Sequence, residues 1–329
     1  MTLDFHGANV LITGGAGFIG SHIADQLLDA GAAQVRIIDD FIRGRRENLA
    51  GAAGTGRLEI IEGDIRDAAL VDRLTAGTDL VFHQAALRIT QAAAEPVRAV
   101  EVMLNGTQNV LEAAVRHHVK KVLAASSASV YGEPSYLPMD EAHPFNNRTL
   151  YGAAKIGNEQ MLRSYAEMFG LQYVVLRPFN IYGPRMDLFG AYTEVMIRWL
   201  ERLAAGEPPV IFGDGRQTMD FLYVEDLARA YLLAAQGDVT DAVFNAGSGT
   251  ETSLRELCAM LCTEAGRPGI EPVFAPTRRV NPVTRRLASV TAAREALGFT
   301  ATTTLSEGLR RLVDWHASVT SLATAVAAG

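Results

Sequence analysis

Short apolar runs alternate with helix-length amphipathic stretches through the first 180 residues of the chain. The runs fall at 9–13, 35–39, 58–62, 80–83, 121–126 and 173–177, with helical patterns at 17–30, 96–118 and 151–169. Near-continuous apolar strands separated by helices predict an α/β fold with a parallel, doubly wound sheet covered on both faces. After Arg177 the rhythm breaks. Pro178, Gly183, Pro184, Gly190, Pro208, Pro209, Gly213 and Gly215 punctuate a loop-rich region, interrupted by a helix around 192–205. FLYVEDLARAYLLAA then reads as one more strand and helix, VFNAG as a short strand, and the remainder as helical at both ends with a Pro/Arg-rich middle. The expected division is a large domain over 1–178 with 217–246 returning to it, a smaller C-terminal α/β domain over 179–216 and 247–320, and a frayed tail at 321–329.

Composition narrows the classes. The 329 residues are 48% hydrophobic and 20% charged, enough for a sizeable core and too apolar for global disorder. A net charge of −7 excludes a broad nucleic-acid surface, which needs a Lys/Arg excess on one face. The only cysteines, Cys258 and Cys262, lie four apart on an amphipathic pattern and are expected to face the core as thiols, with no metal site. No uncharged apolar stretch reaches membrane-spanning length, and MTLDFHGANVLITGG has no basic leader region. A cytoplasmic protein is expected.

Two constellations carry chemistry. TGGAGFIG follows the first strand and opens a helix, with Gly14, Gly17 and Gly20 spaced G-x-x-G-x-x-G. Glycines there let the backbone approach a pyrophosphate seated on the helix N-terminus, where unpaired N–H groups and the helix dipole favour an anion. Asp39 ends the second strand about 20 residues on, where a carboxylate accepts from both adenosine ribose hydroxyls and repels a 2′-phosphate. NAD is therefore expected rather than NADP. The basic run Arg43, Arg45, Arg46 offers the opposite reading, a 2′-phosphate site, beside the plainer one of a solvated loop. The second constellation is Tyr151-Gly-Ala-Ala-Lys155, whose spacing puts phenol and ammonium on one helix face. A phenol of ordinary pKa near 10 is a poor base at neutral pH, and a neighbouring cation favours its phenolate.

TGGAGFIG, Asp64-Ile65, HQAAL, SSASVYG, YGAAK, LRPFNIYGP and DFLYVEDLA occur in an order and spacing that resembles the extended short-chain dehydrogenase/reductases. The chain is most similar to their NAD-dependent nucleotide-sugar epimerases, dehydratases and decarboxylases. The resemblance implies a Rossmann-type sheet with Gly14, Gly17, Phe18, Ile19 and Gly20 on the pyrophosphate, Asp39 on the ribose and Asp64-Ile65 on the adenine. It implies that Ala85, Ala86 and Arg88 line the cofactor, Arg88 standing where related epimerases have Lys. Tyr151 would be the acid/base, Lys155 its partner and ribose anchor, and Ser127 the third catalytic group. Ser129 and Asn180 would meet the sugar nucleotide. The Arg-rich segment from Pro276 to Arg294 would clamp its diphosphate through Arg279, against the plainer reading of a solvated basic loop. Two paired helices would make the enzyme a homodimer.

The turn after the fifth strand separates the reactions. Dehydratases of this kind carry T-D-E-V-Y-G there and the decarboxylases T-S-E-V-Y-G. This chain reads Ser127-Ala128-Ser129-Val130-Tyr131-Gly132, which has no ionisable pair for elimination. It resembles the 4-epimerases, which pass through a transient 4-keto sugar. A dehydratase or decarboxylase with an unconventional acid, and an NAD-sensing binding protein on the same fold, remain as alternatives. Four departures bear on the substrate. Met219 replaces an Arg that usually contacts the diphosphate, with Arg216 three residues earlier as a substitute. Ser289 replaces an Asp, and Val102 an Asn near the cofactor. Arg286 occupies a position that limits sugar size, where a cation would narrow the pocket or seek an anionic substituent.

Overall fold

The computed structural model describes residues 4–188, 194–276 and 283–328, with side chains to Ser321. Strands β1 (Asn9–Thr13), β2 (Gln34–Asp39), β3 (Leu58–Glu62), β4 (Leu80–His83), β5 (Lys121–Ala125) and β6 (Tyr173–Pro178) follow the apolar runs. Beyond them lie β7 (Asn180–Tyr182), β8 (Val210–Phe212), β9 (Thr218–Tyr223), β10 (Ala242–Ala246), β11 (Glu251–Ser253) and β12 (Val273–Ala275).

Seven strands form one parallel sheet in the order β10-β6-β5-β4-β1-β2-β3. β1, β4 and β6 are buried almost throughout, because helices cover both faces. One core layer joins Ile12, Phe82 and Leu123 to the helices Phe18–Asp29 and Val224–Gln236. The opposite layer joins Leu11, Val81 and Val122 to Gly106–Arg116 and Leu150–Phe169. Strand order reverses between β1 and β4, and a crevice opens there at the carboxyl ends of the strands.

Two local readings are corrected. The single helix expected over 96–118 is Pro96–Val100, a π-helical turn Glu101–Asn105, and Gly106–Arg116. The first strand of the expected return at 217–246 does not enter the large sheet: β9 pairs with β7 and β11 instead. Its burial is partial, and buried Asp220 needs the Ser248, Gly249 and Ala288 amides, which a strand between helical layers would not meet. The chain rejoins the large sheet through Val224–Gln236 and β10. The helix Leu305–Ala328 runs on through most of the stretch 321–329.

Candidate active site

A cleft of about 750 Å³ runs along the carboxyl edge of the sheet. Its first wall is the turn after β1. Gly14 has φ +68°, and a Cβ there would lie 2.8 Å from the Ala85 backbone. A Cβ on Gly20 would lie 2.5 Å from the Gly14 carbonyl oxygen and 2.7 Å from Gly15 Cα, so helix and turn meet backbone to backbone. Gly17 caps the helix Phe18–Asp29 without a side-chain acceptor, leaving the first-turn N–H groups directed at the cleft. Phe18 and Ile19 line it beside them.

Asp39 is buried at the end of β2 and accepts from the Ala16 N–H at 2.9 Å and the Phe41 N–H at 3.0 Å. Burial raises its carboxyl above the usual range, and the two amides offset part of that rise. Farther along, Asp64 is held by Arg66 at 2.7 Å, and Ile65 lines the cleft next to it. Burial opposes the Asp64 charge, but the hydrogen bonds and charge of Arg66 win and hold its carboxyl below the ordinary value. Arg43 and Arg45 also line this wall; Arg43 is half-buried, which corrects the solvated-loop reading for it, while Arg45 is exposed. Arg43 is ion-paired with Asp187, while exposed Arg46 meets Glu62 at 3.1 Å. A 2′-phosphate would have to compete with those carboxylates and approach buried Asp39, so the wall fits NAD.

A buried chain of hydrogen bonds aligns the ends of β1 and β4. The Thr107 hydroxyl donates to the Met103 carbonyl, so it accepts from His83 Nε2 at 2.9 Å. His83 Nδ1 then accepts from Thr13 Oγ1 at 2.7 Å, and Thr13 Oγ1 accepts the Ala85 N–H. Burial, with Lys155 nearby, pushes the His83 ring down to about 3, so it stays neutral. Gln84, Ala85, Ala86 and Arg88 thereby project onto the cleft wall, Arg88 pairing with Glu194 at 3.0 Å.

The reacting end lies between β5 and the helix Leu150–Phe169. Thr149 caps that helix through the Gly152 N–H. Tyr151 and Lys155 both face the cleft, with Nζ 5.8 Å from the phenol ring centre. Lys155 donates to the Ala125 carbonyl at 2.6 Å, and burial pushes its ammonium down to about 8. Ser127 Oγ accepts the Ser129 N–H at 3.1 Å, which leaves its own proton for the Tyr151 oxygen to which it is hydrogen-bonded. Burial raises the Tyr151 phenol above its ordinary value, while Ser127, Arg88 and Arg286 work in the opposite direction. Desolvation outweighs these three, and it is they, rather than Lys155, that oppose it.

The substrate-side residues are less gathered. Arg286 is buried and close enough for its charge to act on Tyr151, as is Glu133 on Arg286. Ser129 is buried behind Ser127. Asn180 turns away, donating to the Asp220 carbonyl at 3.0 Å while its neighbours Phe179 and Ile181 line the cleft. Arg216 is 83% exposed on the turn with Asp214, and it does not substitute at the cleft wall. Arg279 lies outside the described residues. The sequence reading missed Ser126, Glu159 and Arg177, an interconnected buried group directly behind Lys155. An Arg inside the otherwise apolar run YVVLRP was the available signal.

A doubly wound sheet with a glycine turn, a buried carboxylate at the end of β2 and a Ser-Tyr-Lys cluster defines a dinucleotide-dependent enzyme class. The chain belongs to the NAD dependent epimerase/dehydratase family, whose model matches residues 10–247. It is 37% identical to a putative UDP-glucose 4-epimerase of Methanocaldococcus jannaschii over 93% of this chain and 97% of the relative. A dTDP-glucose 4,6-dehydratase of Actinoplanes is 33% identical over 93% of this chain and 97% of its own. Among solved structures, a UDP-N-acetylglucosamine 4-epimerase from Methanobrevibacter ruminantium, in complex with UDP-N-acetylmuramic acid, superposes with a TM-score of 0.90 at 34% identity. That match covers 95% of this chain and 99% of that one. Among the described residues, no helix is long and apolar enough to cross a membrane.

Proposed function

We propose that this protein is an NAD-dependent nucleotide-sugar 4-epimerase. The observation that carries the reading is the Ser127–Tyr151–Lys155 cluster followed by Ala128 and Ser129. The phenol has a proton donor and a cation beside it, and the turn offers no carboxylate for elimination. Among the described cleft-lining residues the acids are Asp39, Asp40, Glu47, Asp64, Asp187 and Glu194, none of them on that turn.

In this reading the Phe18, Ile19 and Gly20 amides hold the NAD pyrophosphate, Asp39 the adenosine ribose, and Asp64 with Ile65 the adenine side. Ala85, Ala86 and Arg88 line the nicotinamide half, and Lys155 anchors its ribose. Bound NAD supplies a reversible hydride acceptor. Tyr151, aided by the Ser127 hydrogen bond to its oxygen, takes the proton of the sugar 4-hydroxyl, and Lys155 steadies the phenolate charge. Once the 4-keto sugar has turned over, Tyr151 would return that proton to the oxygen as C4 regains its hydride, which gives the inverted alcohol. Arg286 faces the sugar, and the diphosphate contact is assigned to Arg279 of the Arg-rich segment.

The division of labour follows the fold: residues 1–178 with the return through Val224–Gln236 and β10 serve NAD, and the remainder serves the sugar nucleotide. Exposed Val97 and Val100 on one helix, with Met168 and Phe169 at the end of Leu150–Phe169, support a homodimer through these helices. The buried thiols of Cys258 and Cys262 suit a cytoplasmic enzyme. Incubation with UDP-, TDP-, CDP- and GDP-sugars tests the function: an isomer of unchanged mass inverted at C4 is expected. Loss of water or carbon dioxide would instead favour the dehydratase or decarboxylase reading.

A further inference from the structure

Three consecutive residues at the end of β5 grip three residues on one helix face. The Ala125 carbonyl accepts from Lys155, the Ser126 hydroxyl donates to Glu159, and the Ser127 hydroxyl bonds Tyr151. Tyr151, Lys155 and Glu159 are spaced by four, so they stack along one side of Leu150–Phe169. Glu159 is in turn fixed by Arg177 of β6, whose Nε and Nη2 donate at 2.9 and 2.6 Å. Both side chains are about 95% buried, with 5% of Arg177 and 4% of Glu159 accessible. Arg177 also donates to the Tyr131 hydroxyl at 2.8 Å, and Tyr131 to Asn245 at 2.6 Å.

A buried ion pair recovers in Coulomb energy little more than it loses in desolvation, so stability alone is a weak reason for one. Its place one helical turn behind Lys155 supplies a better reason. We propose that Glu159 is a positioning residue for the acid/base pair, holding the Lys155 ammonium charged and Tyr151 in register with Ser127. This rests on the reading of Tyr151 and Lys155 given above.

The groups facing this cluster make the sign clear. Lys155 faces neutral His83 of β4 and, one turn on, the Glu159 carboxylate. Tyr151 faces Arg88, Arg286 and Tyr231. Glu159 faces Arg177, Tyr131 and Tyr173, with Arg163 beyond Tyr173. The carboxylate acting on Lys155 is that of Glu159. Its removal leaves Arg177 as an uncompensated cation nearby, and Lys155 surrenders its proton more easily. With its register loosened, Tyr151 loses the Ser127 hydrogen bond that favours its phenolate.

The test compares Glu159→Gln, Glu159→Asp and the double variant Glu159→Gln/Arg177→Met in the NAD-loaded full chain. Tyr151 ionisation is read as tyrosinate absorbance, each variant against the same variant carrying Tyr151→Phe. The pH profile of epimerisation and thermal unfolding are read alongside. Glu159→Gln is expected to raise the Tyr151 titration by about one pH unit and to lower turnover at neutral pH about tenfold. Glu159→Asp is expected to restore most of both. Should Glu159→Gln fail to fold, the double variant decides, because it removes both charges and leaves neither buried alone; the same direction of shift is expected. Folded variants that keep the wild-type Tyr151 titration and pH profile, whatever their melting temperature, would overturn the proposal. If the wild type epimerises nothing, the proposed function falls, while the tyrosinate titration still decides the role of Glu159.

Discussion

The two walls of the cleft are built by different means. The wall on the large sheet is set by backbone: the glycine turn after β1, the ends of β2 to β5, and a helix that docks on β5 residue by residue. The opposite wall comes from Phe179–Leu188, Glu194, Trp315 and Val319, brought together from separate segments. Charged pairs fasten it to the first: Arg43 to Asp187, Arg88 to Glu194, and Arg185 to Asp25 at 2.6 Å. An uncharged bridge runs from His22 to the Pro184 carbonyl at 3.0 Å. A wall made of main chain presents one fixed surface to one cofactor. A wall held by exchangeable ion pairs leaves room for a sugar to move and for substrate preference to change with few substitutions.

The largest effect belongs to the fixed wall. Tyr151→Phe should lower turnover about a thousandfold, as expected for loss of general acid/base catalysis. Bound NAD, measured after release from the denatured protein, should be unchanged, and full activity would remove Tyr151 from the mechanism. Gly20→Ala should come next. Its methyl would meet Gly14 and Gly15 backbone that cannot move aside, at about 1–3 kcal/mol. NAD affinity should fall roughly ten- to hundredfold by calorimetric titration, whereas unaltered affinity would contradict the backbone cradle.

A pH experiment compares one histidine from each setting. Burial holds His83, inside the fixed wall, at about 3, and His22, at the bridge to Pro184, at about 4. Their ordinary value is 6.5, so the unfolded chain binds more protons as pH falls below it. The contribution of both neutral rings is fully present above pH 6.5 and is lost towards pH 4 and 3. Each should add about 1.4 kcal/mol per pH unit to the slope of stability in that range. Denaturant unfolding of His22→Gln and His83→Gln should show the slope reduced; unchanged slopes would mean that the rings titrate normally. The smallest effect belongs to the exchangeable wall. Glu194→Gln frees Arg88 from a partly exposed pair, so KM for the sugar nucleotide should shift only a few-fold, at about 0.2–1 kcal/mol. A loss of NAD binding there would show the two walls to be less separate than described.

The same contrast explains what was legible in the sequence. β1 and β4 were read to the residue because a strand buried on both faces is a continuous apolar run. The partly exposed edge strand β3 was read from its short Leu/Ile-rich stretch. Gly14, Gly17, Gly20 and Asp39 were read because backbone geometry imposes their spacing. The three-stranded sheet was not, since β7 and β11 have three residues each and too few positions to show a period. The π-helical turn was hidden because Glu101–Asn105 keeps helical composition while shifting register, which places Val102 on the cleft wall. Asn180 and Arg216 were placed by motif, and their side chains answer instead to local partners, the Asp220 carbonyl and Asp214. Arg286 reaches the site through pairing distant in sequence, its N–H on the Thr218 carbonyl and its neighbours on Met139.

The central claim is reversible inversion at C4 with Tyr151 as the acid/base. It is tested most directly with nucleotide sugars carrying deuterium at C4, with the product followed by NMR and mass spectrometry. The account predicts an isomer of unchanged mass, inverted at C4, with the deuterium still on that carbon. Loss of the label to solvent, or a product lighter by water or carbon dioxide, would contradict it.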